Sequence, residues 1–398
     1  MEGPEKAPQS PQPSSRPGGA GPLLDHPRGP RDGPLRQPPP GAARSRLAYL
    51  DGLRGAALIL MVVNHTARWW MEGPMSWTRY GLIYITLTLA APTFLFLVGF
   101  CLPLALRNGS AESLGALARR FVPRGARIVL AGLLLNLLVF PEEPLWSGGV
   151  LQTIGVAIIA MVPALWLLRW RASQWALLLV AAGGYVAFVL SFPALTRLVA
   201  AHDLVGLLLF YDFPPWPWLS LVLIGLVLGW TWLAAHRASP EAGRRFMVVL
   251  AVMGAVLVVA FFLYDWWAAA PMRFGMRRDF ILNRHWTPRP AALLWVFGML
   301  LLMLAGAYWV MERRGRRLAW LVILGQTALF LYFFHQILAY PLVRNWLGWR
   351  FNAWPWFWLA NAVFVVILLG VGWAWREVKN RVASARRPAP APPAGATL

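Results

Sequence analysis

Apolar residues run along this chain in stretches of about twenty, separated by short polar or basic segments. A helical stretch of ~20 residues crosses a hydrocarbon core of about 30 Å. Because lipid offers no hydrogen-bond partners to the backbone, such stretches predict helices rather than strands. The predicted fold class is therefore all-α, a polytopic integral membrane helical bundle of about ten transmembrane helices. The predicted spans are 52–71, 80–106, 123–140, 149–168, 174–195, 216–235, 246–267, 291–311, 318–341 and 354–375.

Composition supports one membrane domain with a polar tail at each end. Hydrophobic residues make up 58% of the 398 residues and charged residues only 13%, which is typical of a membrane protein. Residues 1–44 are rich in Pro, Gly and Arg and predict a disordered cytoplasmic tail. The transmembrane domain is predicted over 45–378, and residues 379–398 predict a second disordered tail. No stretch predicts a separate soluble domain.

The net charge of +21 would suit nucleic acid, but its distribution argues against that partner. Basic residues concentrate in alternate loops, as the positive-inside rule requires if both termini are cytoplasmic. We therefore expect a multi-pass protein of the plasma (inner) membrane, with the lipid bilayer as its partner. The loop 268–290 departs from the rule with Arg273, Arg277, Arg278, Arg284 and Arg289. Either this loop holds an anionic substrate, or the count of spans is wrong there.

The first predicted span carries ionisable residues, which are costly in a membrane and mark site candidates. Asp51, Arg54 and His65 fall within a narrow arc of one helix face. Arg54 and His65 would stand about 16 Å apart along the helix at ~1.5 Å per residue. This polar stripe predicts a functional path from the membrane edge to its interior. The alternative is a buried structural histidine beside an arginine that extends its head group to the interface.

Polar residues of other spans are predicted to share a depth zone with His65. Its members are Asn64, Thr86, Thr88, Asn136, Gln152, Gln326, Tyr332, His335 and Asn361. A cavity in the outer half of the membrane would explain this clustering. The alternative is that the amides and hydroxyls tie helices together, at about 0.5–1 kcal/mol each. Histidine is the residue best suited to proton transfer near neutral pH, so His65 and His335 are the candidates for catalysis.

Other chemistries lack sequence support. The chain has no nucleotide-binding glycine loop, no zinc-ligand spacing and no Gly-x-Ser-x-Gly elbow, so neither a metal nor nucleotide hydrolysis is expected. Its single cysteine, Cys101, lies within a predicted span. We expect that residue to have a packing role.

Five segments, in order, resemble one family of membrane enzymes. They are Leu50-Asp51-Gly-Leu-Arg54-Gly with Asn64-His65, the run 91–99, Gly149-Val-Leu-Gln152-Thr-Ile-Gly155, the Pro-Trp-rich run 213–218, and Leu324-Gly-Gln326 through Tyr332-Phe-Phe-His335. Together they resemble the heparan-alpha-glucosaminide N-acetyltransferase-like group of transmembrane acyltransferases. The O-antigen-type acyltransferases are more distantly similar. The resemblance covers about 46–345.

The resemblance implies transfer of an acyl group from acetyl-CoA, or another acyl-CoA, to a sugar or glycan acceptor outside. Arg54, Arg124 and Arg127 would bind CoA phosphates, because arginine suits phosphate oxygens, and Asp51 would pair with Arg54. His65 matches the essential histidine of the O-acyltransferase branch and would be the general base. We predict that His335 is the alternative base or a partner that orients the acceptor. The predicted oxyanion or substrate ligands are Asn64, Gln152, Gln326 and Tyr332. A homodimer is a further candidate partner arrangement for this chain.

One departure from the family pattern, and the polar stripe of the first span, which could also serve as a permeation or proton path, keep other functions open. The lysosomal enzyme of this group places a histidine just before a Ser-Trp pair, but here the stretch is Pro74-Met75-Ser76-Trp77. One alternative is a transporter or flippase for an anionic or lipid-linked sugar. The other is a membrane scaffold whose catalytic site has decayed.

Overall fold

The computed structural model of the protein describes residues 47–74, 76–106, 112–201, 204, 206, 213–267, 290–316 and 318–385. These residues are almost entirely helical and contain no strand, so the predicted all-α class is confirmed. The tail 1–44, residues 386–398 of the second tail and the five arginines of the loop 268–290 lie outside them.

The described residues form eleven α-helices, two of which continue into π-helical turns. They are α1 (Ala48–Trp69), α2 (Trp77–Leu104), α3 (Leu114–Val139), α4 (Val150–Leu167), α5 (Arg171–Ala200), α6 (Pro215–Ala238), α7 (Pro240–Trp267), α8 (Pro290–Ala307, then π over Tyr308–Arg313), α9 (Ala319–Gln326), α10 (Ala328–Ile337, then π over Leu338–Trp346) and α11 (Trp354–Ala385).

The helices have the length and composition of membrane spans. Among the described residues, eight are long and apolar enough to cross a bilayer, and the bent pair α9–α10 makes a ninth. Helix α1 is 22 residues long but more polar, since it carries Asp51, Arg54, Asn64, His65 and Arg68. Each of the ten predicted spans coincides with one of these segments. The chain is a multi-pass membrane protein.

Local sequence explains where several helices begin. The hydroxyl of Ser76 accepts a hydrogen bond from the backbone of Arg79, and Ser113 does the same for Ala116. Such N-caps satisfy backbone N–H groups that have no partner inside the helix. Helix α7 begins at Pro240, whose fixed φ suits the first turn of a helix.

The broken span α9–α10 packs against α1, and it contributes a polar residue at each end of α1. The two helices meet at 80° around Thr327. Close approach depends on glycine, because a side chain at Gly325 would overlap the Asp51 backbone and one at Gly55 would overlap the Leu321 backbone. As a result, α9 contacts the beginning of α1 and α10 contacts its end.

Candidate active site

The beginning of α1 carries the Arg54 cluster, defined as Asp51, Arg54, Cys101 and Gln326. The Arg54 guanidinium donates to Asp51 Oδ1 at 2.7 Å and to Cys101 Sγ of α2 at 2.9 Å. Gln326 Nε2 of α9 donates to the other carboxylate oxygen of Asp51 at 3.3 Å. Asp51 is buried and Arg54 is half-buried. The predicted Asp51–Arg54 pair therefore forms, and it ties α1 to α2 and α9.

Further arginines of α3 lie around the Arg54 cluster. Arg124 is exposed and close enough to Arg54 and Cys101 to interact with them electrostatically. Arg127 is also exposed, and among the described residues its one hydrogen bond is to the Pro123 carbonyl of its own helix, at 3.1 Å. A phosphate approaching this end of the protein would meet several guanidinium groups in a small volume, which suits anion binding.

The end of α1 carries the His65 cluster, defined as His65, Trp69, His335 and Tyr332. The Nδ1 atom of His65 lies 2.9 Å from Nε2 of His335, although 270 residues separate them. His65 also stacks on Trp69 one turn later, with ring centroids 4.6 Å apart. Tyr332 touches His335 edge-on at 5.6 Å. His335 is fully buried, whereas His65 is partly exposed.

The hydrogen bonds of the two histidines fix their tautomers. Nδ1 of His335 lies 2.9 Å from the Leu331 carbonyl oxygen, which can only accept. In the neutral ring Nδ1 therefore holds the proton, and Nε2 is an acceptor. His65 must then donate from Nδ1, so its own Nε2 keeps a free lone pair. Among the described residues His65 Nε2 has no hydrogen-bond partner, and the pair presents one basic nitrogen held in a fixed orientation.

Aromatic residues surround the exposed edge of the His65 cluster. Trp69 packs against Phe140 and Tyr340, with ring centroids 6.0 and 5.1 Å away. The Tyr340 hydroxyl donates to Glu142 Oε1 at 2.7 Å, and Arg344 lies over the Tyr340 ring at 5.0 Å. Sequence reasoning missed this group, which we call the Trp69 platform (Trp69, Phe140, Tyr340, Glu142). The available signal was Trp69 itself, one helical turn after His65, but tryptophans at span ends also fit an interface belt.

Most other residues of the predicted depth zone tie helices together. Asn64 donates to the Ile83 carbonyl and to Thr86 of α2 at 2.9 and 3.2 Å. Thr66 donates to Asn361 of α11 at 2.7 Å. The amide nitrogen of Asn64 is thus engaged with α2, while Gln326 lies in the Arg54 cluster.

Gln152 also lies apart from the His65 cluster. Its amide donates to the Ser147 carbonyl at 3.2 Å, and Asn136 donates to the same carbonyl at 2.8 Å. The pair holds the loop between α3 and α4. Of the predicted site residues, the structure brings together His65, His335 and Tyr332 at one end of α1, and Asp51, Arg54 and Gln326 at the other.

The α1 face between the two clusters is packed. Leu58 and Met61, which lie on the same face as Arg54 and His65, are 1% and 4% exposed. A ligand extending from one cluster to the other along this face would have to displace Met61. That side chain is unbranched and flexible, and methionine adapts readily to altered packing.

A comparison with family models gives one match. The model described as heparan-alpha-glucosaminide N-acetyltransferase, catalytic, matches residues 46–266, which is more than half of the chain. The match includes the Arg54 cluster apart from Gln326, and it includes His65, whereas His335 lies beyond its end. No curated protein sequence shows a significant match to the chain.

Proposed function

The chain belongs to the heparan-alpha-glucosaminide N-acetyltransferase catalytic family, and we propose that it transfers an acyl group from acyl-CoA to an extracytoplasmic sugar or glycan. The observation that carries the proposal is the His65–His335 pair. It leaves one imidazole nitrogen unprotonated, oriented and partly exposed at the far end of α1 from the arginines. A general base needs this arrangement at neutral pH.

In the proposed reaction His65 accepts a proton through Nε2. The acceptor hydroxyl or amine attacks the thioester carbonyl, giving up its proton to His65 as the new C–O or C–N bond forms. The tetrahedral intermediate then collapses, the C–S bond breaks, and His65 returns the proton to the departing CoA thiolate. His335 positions His65 by accepting its Nδ1–H throughout, as the third group does in a catalytic triad.

The Arg54 cluster and the neighbouring arginines suit the donor. Arg54 and Arg124 would bind the phosphates of CoA through charge-assisted hydrogen bonds. The thioester would then have to reach His65, about 16 Å further along α1 at ~1.5 Å per residue. The pantetheine arm is long and thin enough to follow this face once Met61 has moved aside.

The Trp69 platform suits the acceptor. Pyranose rings bind flat aromatic faces through their C–H groups, and carboxylates accept hydrogen bonds from sugar hydroxyls or amines. The half-buried Trp69, which stacks on His65, would supply the aromatic surface, and the exposed Glu142 would supply the carboxylate. An acceptor held there would place a nucleophile next to Nε2 of His65. The described aromatic rings at the Arg54 end, Tyr49, Trp232 and Tyr308, are buried, whereas Trp69 is only half-buried, which supports opposite roles for the two ends.

The positive-inside rule supports a cytoplasmic Arg54 end. The beginning of α3 approaches this end, since Arg120 donates to the Ala105 carbonyl after α2. The ends of α6 and α8 also meet α1 there, through Trp232 and Tyr308 against Tyr49. Arg237 and Arg313 lie in those helix ends. We propose both termini on the cytoplasmic side of the plasma membrane and one domain over 45–378. Residues 379–385, which the sequence assigned to the C-terminal tail, continue helix α11 instead.

A transporter is the second candidate, because α9–α10 is a broken span. Interrupted helices near the midplane are common where transporters bind substrates. An assay separates the two functions: purified protein is incubated with radiolabelled acetyl-CoA and a cell-envelope extract. Acyl transfer places the label on a glycan and releases free CoA. Unchanged acetyl-CoA together with movement of an unmodified sugar across a membrane would support transport instead.

A further inference from the structure

A cavity of about 370 Å³ lies between the turn that joins α4 to α5 and the last turns of α6. We call it the Arg169 pocket. It is lined by Arg169, Arg171, Gln174, Trp175, Trp230, Thr231 and Ala234. Its size falls within the range of small-ligand sites. None of its lining residues belongs to the Arg54 cluster, the His65 cluster or the Trp69 platform.

The pocket carries two cations without acidic partners. Arg169 is held in place by two indole rings, with its guanidinium carbon 4.0 Å from the Trp166 ring and 4.5 Å from the Trp170 ring. Its Nε donates to the Trp166 carbonyl at 3.1 Å. Among the described residues, neither Arg169 nor Arg171 takes part in a salt bridge. A preorganised guanidinium beside a second one is suited to a phosphate group.

An exposed apolar stripe leads away from the pocket along α5. It consists of Trp175, Leu179, Val186 and Leu190, which are 73%, 73%, 54% and 76% exposed. Their spacing of four, seven and four residues places them on one helix face. The stripe runs for about 22 Å at ~1.5 Å per residue, which exceeds the ~15 Å half-thickness of a hydrocarbon core. An acyl chain of a lipid in one leaflet can therefore pack along the part of the stripe nearest the pocket.

We propose that the Arg169 pocket binds the phosphate head group of one anionic phospholipid, with an acyl chain packed along the α5 stripe. The two arginines would neutralise the phosphate, while Gln174 and Thr231 could contact the glycerol. The apolar stripe is the feature that favours a lipid over a soluble anion, because a free phosphate would leave it unused. Tryptophans at the pocket, Trp175 and Trp230, match the preference of indole for the interfacial region.

The test is native mass spectrometry of the purified full-length protein in detergent, titrated separately with phosphatidylglycerol, phosphatidylcholine and inorganic phosphate. We expect a phosphatidylglycerol adduct at lower concentration than a phosphatidylcholine adduct. Arg169→Gln/Arg171→Gln should weaken that adduct roughly tenfold or more, since each basic residue contributes to binding of anionic lipid. Leu179→Gln, which leaves the arginines in place, should also weaken it.

A matched control is Arg314→Gln/Arg316→Gln, which removes the same charge from exposed residues at the end of α8. If this control loses the adduct equally, the effect is general electrostatics and the pocket is not a specific site. If inorganic phosphate binds and phosphatidylglycerol shows no advantage, the pocket takes a soluble anion and the lipid proposal is wrong. Monodisperse elution and an unchanged unfolding temperature would show that the variants are folded.

Discussion

Each end of α1 contacts the broken span α9–α10, but the hydrogen bonds of the polar side chains differ between the two ends. In both, a residue of α1 meets a residue of the broken span α9–α10: Asp51 meets Gln326 at one end, and His65 meets His335 at the other. In the Arg54 cluster both oxygens of Asp51 are paired, and the cation is neutralised. In the His65 cluster the hydrogen-bond chain runs from His65 through His335 to the Leu331 carbonyl and leaves one basic nitrogen free.

This contrast indicates how one helix can bind the acyl-CoA donor at one end and catalyse the transfer of its acyl group at the other. A charge pair inside a membrane protein holds helices in place and offers arginine donors to an incoming anion. A neutral imidazole pair can accept a proton, because its free nitrogen is not already engaged. The chemical step is therefore expected at His65, whose Nε2 atom is an acceptor without a hydrogen-bond partner among the described residues.

The largest effect is expected from removing that acceptor. His65→Ala should lower acyl transfer by about 10²–10⁴-fold, the usual loss for a general base, without lowering protein abundance in the membrane. Steady-state rates with labelled acyl-CoA and quantitative immunoblotting would measure both. His236→Ala, a change outside both clusters, is the control and should stay active. Full activity in His65→Ala, combined with an inactive His335→Ala, would assign the base to His335.

A smaller effect is expected from His335, because it acts through His65. His335→Asn should reduce kcat by roughly 10–100-fold, by analogy with the loss of a hydrogen-bond partner that orients a metal-bound histidine. The KM for acyl-CoA should change little. The pH profile of kcat should also shift, since the hydrogen bond to His65 Nδ1 is altered. An unchanged pH profile with reduced abundance would indicate a purely structural role.

Arg54 is expected to affect donor binding rather than the chemical step. Arg54→Lys keeps the charge but loses the forked donor geometry, and a hydrogen bond to a charged group contributes about 1.5–3 kcal/mol. The Kd for CoA, measured by calorimetry on purified protein, should rise by roughly tenfold or more. Arg314→Lys provides the matched change at an exposed position. If Arg54→Ala binds CoA as wild type does, the Arg54 cluster only stabilises helix packing.

The smallest effect is expected from the Thr66–Asn361 contact, which joins α1 to α11. Thr66→Val should reduce stability by about 0.6 kcal/mol, the average for interhelical hydrogen bonds in a membrane protein. Thermal unfolding in detergent would detect the change, and the specific activity of the folded protein should be retained. A large loss of activity at unchanged stability would place this contact within the catalytic site.

The sequence allowed the helices to be predicted well, because membrane spans follow directly from long apolar stretches. The Asp51–Arg54 pair was also predictable, since the two residues lie three apart on one helix. The pairing between His65 and His335 could not be predicted from the sequence. It depends on how α10 packs after an 80° bend, and no residue pattern in this segment predicts that bend. Depth alone could not separate Asn64 and Gln152 from the histidines. Those amides lie at a similar depth but face other helices, and facing depends on the packing of the whole bundle.

The most direct test of transmembrane acyl transfer uses sealed proteoliposomes, with radiolabelled acetyl-CoA on the Arg54 side and a sugar acceptor on the other. We predict that labelled acetyl appears on the acceptor, that CoA stays on its own side, and that His65→Ala abolishes the labelling. The opposite result would be an acceptor that crosses the membrane unmodified, or labelling that is unchanged in His65→Ala. Either would contradict the central claim that His65 is the base for transfer across the membrane.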